Sequence, residues 1–125
     1  MKLRLAAAII LVALSVGAAI FCMLRVNAFA DELEGAIETA MAAAATQSGW
    51  EAATEEVTRA WEDGKEILHV LLPHINLNEL EWTLGSLPEY LRQGDKALYI
   101  EQCIRALQCL KTVREMERPN WGNIF

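Results

Sequence analysis

Residues 5–24 form an unbroken run of twenty residues without a charged side chain. A helix needs about twenty consecutive apolar residues to cross the hydrocarbon core of a bilayer. Lys2 and Arg4 precede the run, and Arg25 follows it at once. The sequence therefore predicts a transmembrane segment over residues 5–25, with the rest of the chain forming a domain on one side of a membrane.

A cleaved secretory signal is the alternative interpretation of this segment. Such a signal combines a basic start, an apolar run of roughly 7–15 residues and a small-x-small cleavage site. The tripeptide AFA, which ends at Ala30, offers that site before Asp31. Because the run is longer and Arg25 interrupts the approach to the site, we favour an uncleaved signal anchor over a secreted domain. A buried helix of a soluble protein is the third interpretation.

The basic residues near the span predict its orientation. Two basic side chains and the α-amine lie within residues 1–4, whereas only Arg25 follows the span closely and the next basic residue is Arg59. The more basic flank of a span usually stays in the cytoplasm. We therefore expect a cytoplasmic start at residues 1–4, and residues 26–125 on the outer side of the cell membrane.

The domain after the span is strongly acidic. From Asp31 onward it has 17 acidic and 8 basic residues, a net charge of −9. Such a charge opposes binding to nucleic acids and electrostatic adhesion to anionic lipids. The composition thus fits a domain that the span alone holds near the membrane.

Four apolar stripes with helical spacing run along this domain. Their members are Phe29, Leu33, Ile37, Ala40 and Ala44; Trp50, Thr54, Val57, Trp61, Gly64, Leu68 and Leu71; Leu77, Leu80, Leu84, Leu87 and Leu91; and Ile100, Cys103, Ile104, Leu107 and Leu110. The helices that they predict cover about 26–47, 49–72, 76–93 and 95–118, followed by a non-helical tail at 119–125. Nothing between Leu24 and Phe29 must break a helix, so the first helix is expected to continue from the span.

Capping and breaking residues set the expected ends of these helices. Ser48, with Glu51 three residues later, has the spacing of a capping box, and Asp95 is the expected cap of the fourth helix. Pro119 ends the fourth helix, and Pro88 predicts a kink or a short break in the third. Because the connections are short, neighbouring helices should be antiparallel. The predicted fold is all-α: an N-terminal transmembrane helix that continues into an antiparallel up-down four-helix bundle.

The chain lacks recognisable catalytic and metal-binding motifs. His69 and His74 are five residues apart, which on a helix separates them by about 140° around the axis, and no HExxH motif or Cys/His cluster is present. Cys103 and Cys109 would lie about 9 Å apart on one helix, too far for a disulfide bridge. We therefore expect no enzymatic activity, no cofactor and no metal.

A few aromatic and apolar residues remain as candidates for contact with a partner or a membrane. Trp82 points away from the leucine stripe of the third helix, and the tail carries Trp121, Ile124 and Phe125. In an up-down bundle this tail lies at the membrane-proximal end, where it could instead fold back onto the bundle. The residues to which the patterns assign structural roles are Ser48, Trp50, Trp61, His74 and Pro119.

The layout resembles the bacterial family called domain of unknown function 4363. The resemblance rests on the N-terminal apolar helix, the tryptophans of the second stripe, the segment 71–95 and the closing RPNWGNIF at 118–125. In that family an aspartate precedes the histidine and E-I-D follows; here Pro73 precedes His74, and Asn-Leu-Asn stands at 76–78. The resemblance implies small membrane-anchored helical proteins of spore-forming Gram-positive bacteria. Genes for YetF-like multi-pass membrane proteins in the family's context imply a membrane partner.

These observations predict an accessory protein rather than a catalyst. The expected role is protein–protein interaction by an extracytoplasmic helical bundle, with an integral membrane protein as partner and the bilayer contacted through residues 5–24. The alternative is a secreted soluble sensor or ligand-binding domain, released by cleavage near Ala30.

Overall fold

A computed structural model describes residues 1–71 and 77–117 of the protein, and four helices account for nearly all of them. Their bounds are α1 (Lys2–Thr46), α2 (Trp50–Leu71), α3 (Asn78–Gln93) and α4 (Lys96–Glu117). No strand occurs within the described ranges. Helix α1 is continuous over 45 residues, or about 67 Å at 1.5 Å per residue. The predicted continuation of the span into the bundle is therefore confirmed.

The four helices form an antiparallel bundle in which each packs on its neighbours in sequence. Helix α1 packs against both α2 and α4, and α3 packs against α4 and, over a smaller area, against α2. This arrangement follows from the short connections, because a helix that follows a short connection packs antiparallel to the helix before it. The prediction of an up-down four-helix bundle is confirmed.

Buried side chains from all four helices form one hydrophobic core. Those of α1 and α2 are Val26, Ala30, Leu33, Ile37, Ala40, Ala44, Ala53, Thr54, Val57, Ala60, Trp61 and Leu68. Those from Leu77 onward are Leu77, Leu80, Thr83, Leu84, Leu87, Tyr99, Cys103, Ala106, Leu110 and Val113. The spacing of three and four residues places each set on one face of its helix.

The buried face of α4 differs from the predicted stripe. Ile104, predicted to be in the core, is 46% exposed, whereas Tyr99 is fully buried. The hydroxyl of Tyr99 lies 2.5 Å from that of Thr54 on α2, and its ring packs edge-on against Trp50 at a centroid distance of 5.3 Å. These contacts rotate α4 so that Tyr99 faces inward and Ile104 faces out, and the prediction for Ile104 is wrong.

The turn between α1 and α2 uses backbone groups rather than the predicted side-chain cap. Gln47 adopts a left-handed conformation with φ 52°, and its N–H donates to carbonyls in the last turn of α1. The N–H of Ser48 donates to Ala43 O at 3.1 Å. Helix α2 begins at Trp50, after Gly49 with φ 74°, so Ser48 closes α1 and is one residue too early to cap α2. Its role in the fold is through its backbone.

The turn between α3 and α4 matches its prediction more closely. Gly94 has φ 68°, a conformation that glycine adopts without steric cost. The carboxylate of Asp95 accepts a hydrogen bond from the N–H of Leu98 at 3.1 Å, which is the geometry of an N-cap. Helix α3 continues through Pro88, so the predicted short break does not occur. The buried Leu84 and Leu87 before the proline and the partly buried Leu91 after it all pack against the core.

Candidate functional site

The N-terminal half of α1 is an exposed apolar helix. It is the one helix, among the described residues, that is long and apolar enough to cross a membrane, and none of its most apolar 18-residue window is buried in the protein. Exposed leucine, isoleucine, valine and phenylalanine side chains cover its surface up to Leu24. Water opposes the exposure of so large an apolar area, whereas the hydrocarbon of a bilayer would accept it.

The bundle begins immediately after the apolar segment. Val26 is 2% exposed and Ala30 is 1% exposed, although Leu24 is 63% exposed. Helix α1 thus changes from a free helix to a core helix within a single turn, at Arg25. No connecting loop separates the two parts, so the orientation of the bundle is coupled to that of the apolar segment through one continuous helix.

Phe29 joins α1 to α2 just above this junction. Its ring lies directly against Gly64, where a Cβ atom would overlap the ring. Its centroid is 6.3 Å from that of Trp61, with the two rings tilted by 48°. Trp61 is buried, and Gly64 provides the flat surface that the phenyl ring needs. The close approach of the two helices therefore depends on a glycine at this position.

Two arginines connect the first acidic turn of α1 to the neighbouring helices. Arg114 on α4 contacts Asp31 and Glu34, each at 2.7 Å. On the opposite side, Arg59 on α2 contacts Glu32 at 3.2 Å. We call these five residues the arginine collar. It fixes both neighbours of α1 at the level where α1 leaves the apolar segment.

Arg59 also pairs with carboxylates of its own helix. It contacts Glu56, and it contacts Asp63 at 2.7 Å. Its hydrogen bond holds the pKa of Glu56 below the usual range, and the same carboxylates raise the pKa of the Arg59 guanidinium. Both groups are therefore charged at neutral pH, and the acidic face of α2 is partly neutralised.

Trp82 is the most exposed large aromatic side chain of the described bundle. It lies on α3 with 80% of its surface exposed, while Leu80 and Leu84 on the same helix are buried. Its outward direction agrees with the helical spacing. The two tryptophans of α2 are less exposed than Trp82. Trp61 is buried, and Trp50 is partly buried and packs against Tyr99.

Surface grooves lie between the helices, and the described residues form two of the larger ones beside α4 and α3. A groove of about 370 Å³ separates α1 from α4 and is lined by Ile104, Leu107 and the charged groups of Glu38 and Lys111. A larger one, of about 770 Å³, lies between α2 and α3 near Thr58 and Pro88. Both carry mixed charges and neither has a set of converging donors that would specify a ligand.

The described residues contain no group of three or more His, Cys, Asp or Glu side chains that could hold a metal ion. His69 is exposed on α2. Cys103 and Cys109 are free thiols, and burial raises the pKa of Cys103 to about 12. A thiol with so high a pKa is a poor nucleophile at neutral pH, so the role of Cys103 is packing.

Several residues singled out from the sequence lie outside the described ranges. They are Pro73, His74, Pro119, Trp121, Ile124 and Phe125. Conversely, sequence reasoning missed the arginine collar, the burial of Tyr99 and the exposure of Val70. The buried positions of α4 from Tyr99 to Val113 alternate in steps of four and three residues, and this pattern could have identified Tyr99 as part of the buried face. No local signal, however, pairs Arg114 with Asp31.

Comparison with known proteins agrees with the resemblance seen in the sequence. The model of one family, described as Domain of unknown function (DUF4363), matches residues 20–124. The match begins within the apolar segment and continues through all four helices. No curated protein and no solved structure matches the chain. Since the family match covers most of its length, the chain belongs to the DUF4363 family.

Proposed function

We propose that the protein is a single-pass membrane protein whose helical bundle binds another protein and has no catalytic activity of its own. The observation that carries this proposal is the continuity of α1, which supplies both the exposed apolar segment and the first core helix of the bundle. An anchor that ends in a flexible linker only tethers a domain. An anchor that continues into the core also sets the height and direction of the domain.

The junction favours the anchored form over the secreted alternative. Cleavage after Ala30 would remove Val26 and Ala30 from the core, and with them the ring of Phe29 that packs against Gly64. It would also remove part of the region that the family model matches, which begins at residue 20. A signal segment that is discarded has no reason to contribute core residues to the mature domain.

The carboxylates of the described surface whose pKa is shifted favour a role in binding over a role in acid–base catalysis. General acids and bases work best with a pKa near the operating pH. The hydrogen bond from Arg59 lowers the pKa of Glu56, and those from Gln93 and Arg92 lower the pKa of Glu89. Both shifts move the pKa of these carboxylates further below neutral pH, as expected for carboxylates in surface ion pairs.

Trp82 is the residue that we assign to the partner. Exposed tryptophans are enriched where proteins dock, because their large rings lose contact with water at little cost in entropy. Rigid coupling to the anchor would hold Trp82 at a constant height above the bilayer, which suits a partner that is itself fixed in the membrane. An integral membrane protein is therefore the proposed partner, on the outer side of the cell membrane.

Photo-crosslinking tests this assignment. A benzophenone amino acid at Trp82 should give a crosslinked product with an integral membrane protein, recovered from membranes washed with alkaline carbonate. The matched control places the same amino acid at Gln93, which is exposed on the same helix but at its other end. No product at Trp82, or the same products from both positions, would contradict the assignment.

The orientation is tested separately. Protease added to intact protoplasts should digest the bundle if residues 26–125 lie outside, and should leave it intact if they lie in the cytoplasm. Detergent-opened protoplasts provide the control in which the bundle is accessible in either case.

A further inference from the structure

The register between α1 and α2 carries one further inference, about the depth of α2. Arg59 contacts Glu32, Gly64 contacts Phe29, and Ile67 lines the same groove as Arg25. Each step toward the C-terminus of α2 is thus matched by a step toward the N-terminus of α1. Ile67 lies level with Arg25, the first charged residue after the apolar run.

The last turn of α2 continues beyond that level. Val70 lies three residues past Ile67, about 4.5 Å further along the helix axis, and is therefore level with the last residues of the apolar run. It is 75% exposed. The last turn of α2, residues 67–71, has no Asp, Glu, Lys or Arg side chain that would keep it in water.

The thickness of the membrane interface decides what covers Val70. The polar headgroup region adds roughly 5–8 Å on each side of the hydrocarbon core. With Arg25 in the headgroup region, a side chain about 4.5 Å below its level reaches the boundary between the headgroups and the acyl chains. The described part of α4 reaches less far toward the apolar segment, since Arg114 is level with Asp31 and Glu34 and only three residues of the helix follow it.

We infer that the C-terminal turn of α2 enters the bilayer interface beside α1, with Val70 in contact with lipid. The contact is apolar, because the acidic bundle has no electrostatic attraction to anionic lipids. It therefore forms equally in zwitterionic membranes. This inference rests on the proposed function, since it requires residues 5–24 to lie in the bilayer.

Depth-dependent fluorescence quenching tests it. The full-length protein, with Cys22 and Cys109 replaced by alanine, carries Val70→Cys labelled with an environment-sensitive dye and is reconstituted into phosphatidylcholine vesicles. Cys103 is buried and protonated and stays unlabelled. The matched control is Glu55→Cys, exposed on the same helix and about 22 Å further from the membrane. Thermal unfolding in detergent verifies that both labelled variants keep the stability of their parent.

The expected result is a shift of the emission at position 70 to shorter wavelength and loss of most of its intensity to lipids with a nitroxide near the headgroup. Position 55 should remain unquenched. Vesicles that carry the protein in flotation but leave position 70 unquenched would overturn this inference and leave the anchor intact. Equal quenching at both positions would overturn it too, because the bundle would then lie flat on the surface. A protein that fails to float with the vesicles would overturn both the anchor and the inference.

Discussion

The ring of Phe29 packs directly against Gly64, two residues that lie on neighbouring helices immediately above the apolar segment. This contact makes the part of α1 that directly follows the apolar segment part of the bundle core. Val26 and Ala30, buried on the same face of α1, extend the contact on both sides. Cleavage of α1 at this point would therefore remove core residues and damage the bundle.

Gly64→Ala should destabilise the bundle by about 1–3 kcal/mol, the usual cost of forcing extra atoms into a packed core. A Cβ atom at this position overlaps the ring of Phe29, so the ring or the helices must shift. Chemical denaturation of the full-length protein in detergent, followed by circular dichroism, measures the change.

Two further variants make the Gly64→Ala result specific. Gly35→Ala, at a helical position with open space around its Cβ, should be neutral or stabilising by about 0.5–1 kcal/mol. Combining Phe29→Leu with Gly64→Ala should cost less than the two single changes added together, because the smaller side chain makes room. A Gly64→Ala protein as stable as its parent would contradict the packing described here.

Arg114→Gln should lower the free energy of unfolding by about 1 kcal/mol, because it removes the two ion pairs that join α4 to α1. The partner carboxylates are exposed, so the loss should shrink in high salt. Arg105→Gln is the matched control on the same helix. Arg105 contacts Glu101 of its own helix, one turn away and at the longer distance of 3.8 Å. Equal losses from the two changes would show that the arginine collar does not join the helices.

Alkaline pH should destabilise the protein through its buried acidic protons. Burial raises the pKa of Cys103 from 9.0 to about 12 and also raises that of Tyr99. Above about pH 9 the unfolded chain loses the thiol proton while the folded chain keeps it, so stability falls as pH rises toward 12. Each such group contributes a slope of at most about 1.4 kcal/mol per pH unit.

Cysteine variants identify the source of this pH dependence. Cys103→Ala should make the decline between pH 9 and pH 12 shallower, whatever it does to stability at neutral pH. Cys109→Ala should keep most of the decline, because Cys109 is only partly buried. Denaturation curves at a series of pH values distinguish the two, and an unchanged slope in Cys103→Ala would refute the assignment.

The fold could largely be predicted because three of the helices have one strong apolar face. Leucines at Leu80, Leu84 and Leu87 leave α3 only one face to bury. Helix α4 was harder, since Ile104 and Tyr99 both belong to regular apolar spacings that share Cys103. The hydrogen bond between Tyr99 and Thr54 selects one of the two faces, and a contact across 45 residues has no local signature.

The candidate surfaces also include features that the sequence predicts and features that only the folded structure reveals. The direction of Trp82 follows from helical spacing alone, because it lies opposite the leucines of α3. The exposure of Val70 also follows from spacing, because it lies opposite the buried Leu68 on α2. Its level along α1 does not, because that depends on the register between the two helices. In the arginine collar, Arg114 pairs with residues 80 or more positions away in sequence, and only the folded chain brings them together.

The mass of the mature protein tests the central claim most directly. The protein is purified from the membrane fraction and its N-terminus is determined by intact-mass spectrometry. A chain that retains residues 1–30 is the predicted result, because α1 must keep Val26, Phe29 and Ala30 in the core. A mature chain that begins at Asp31 would contradict the account.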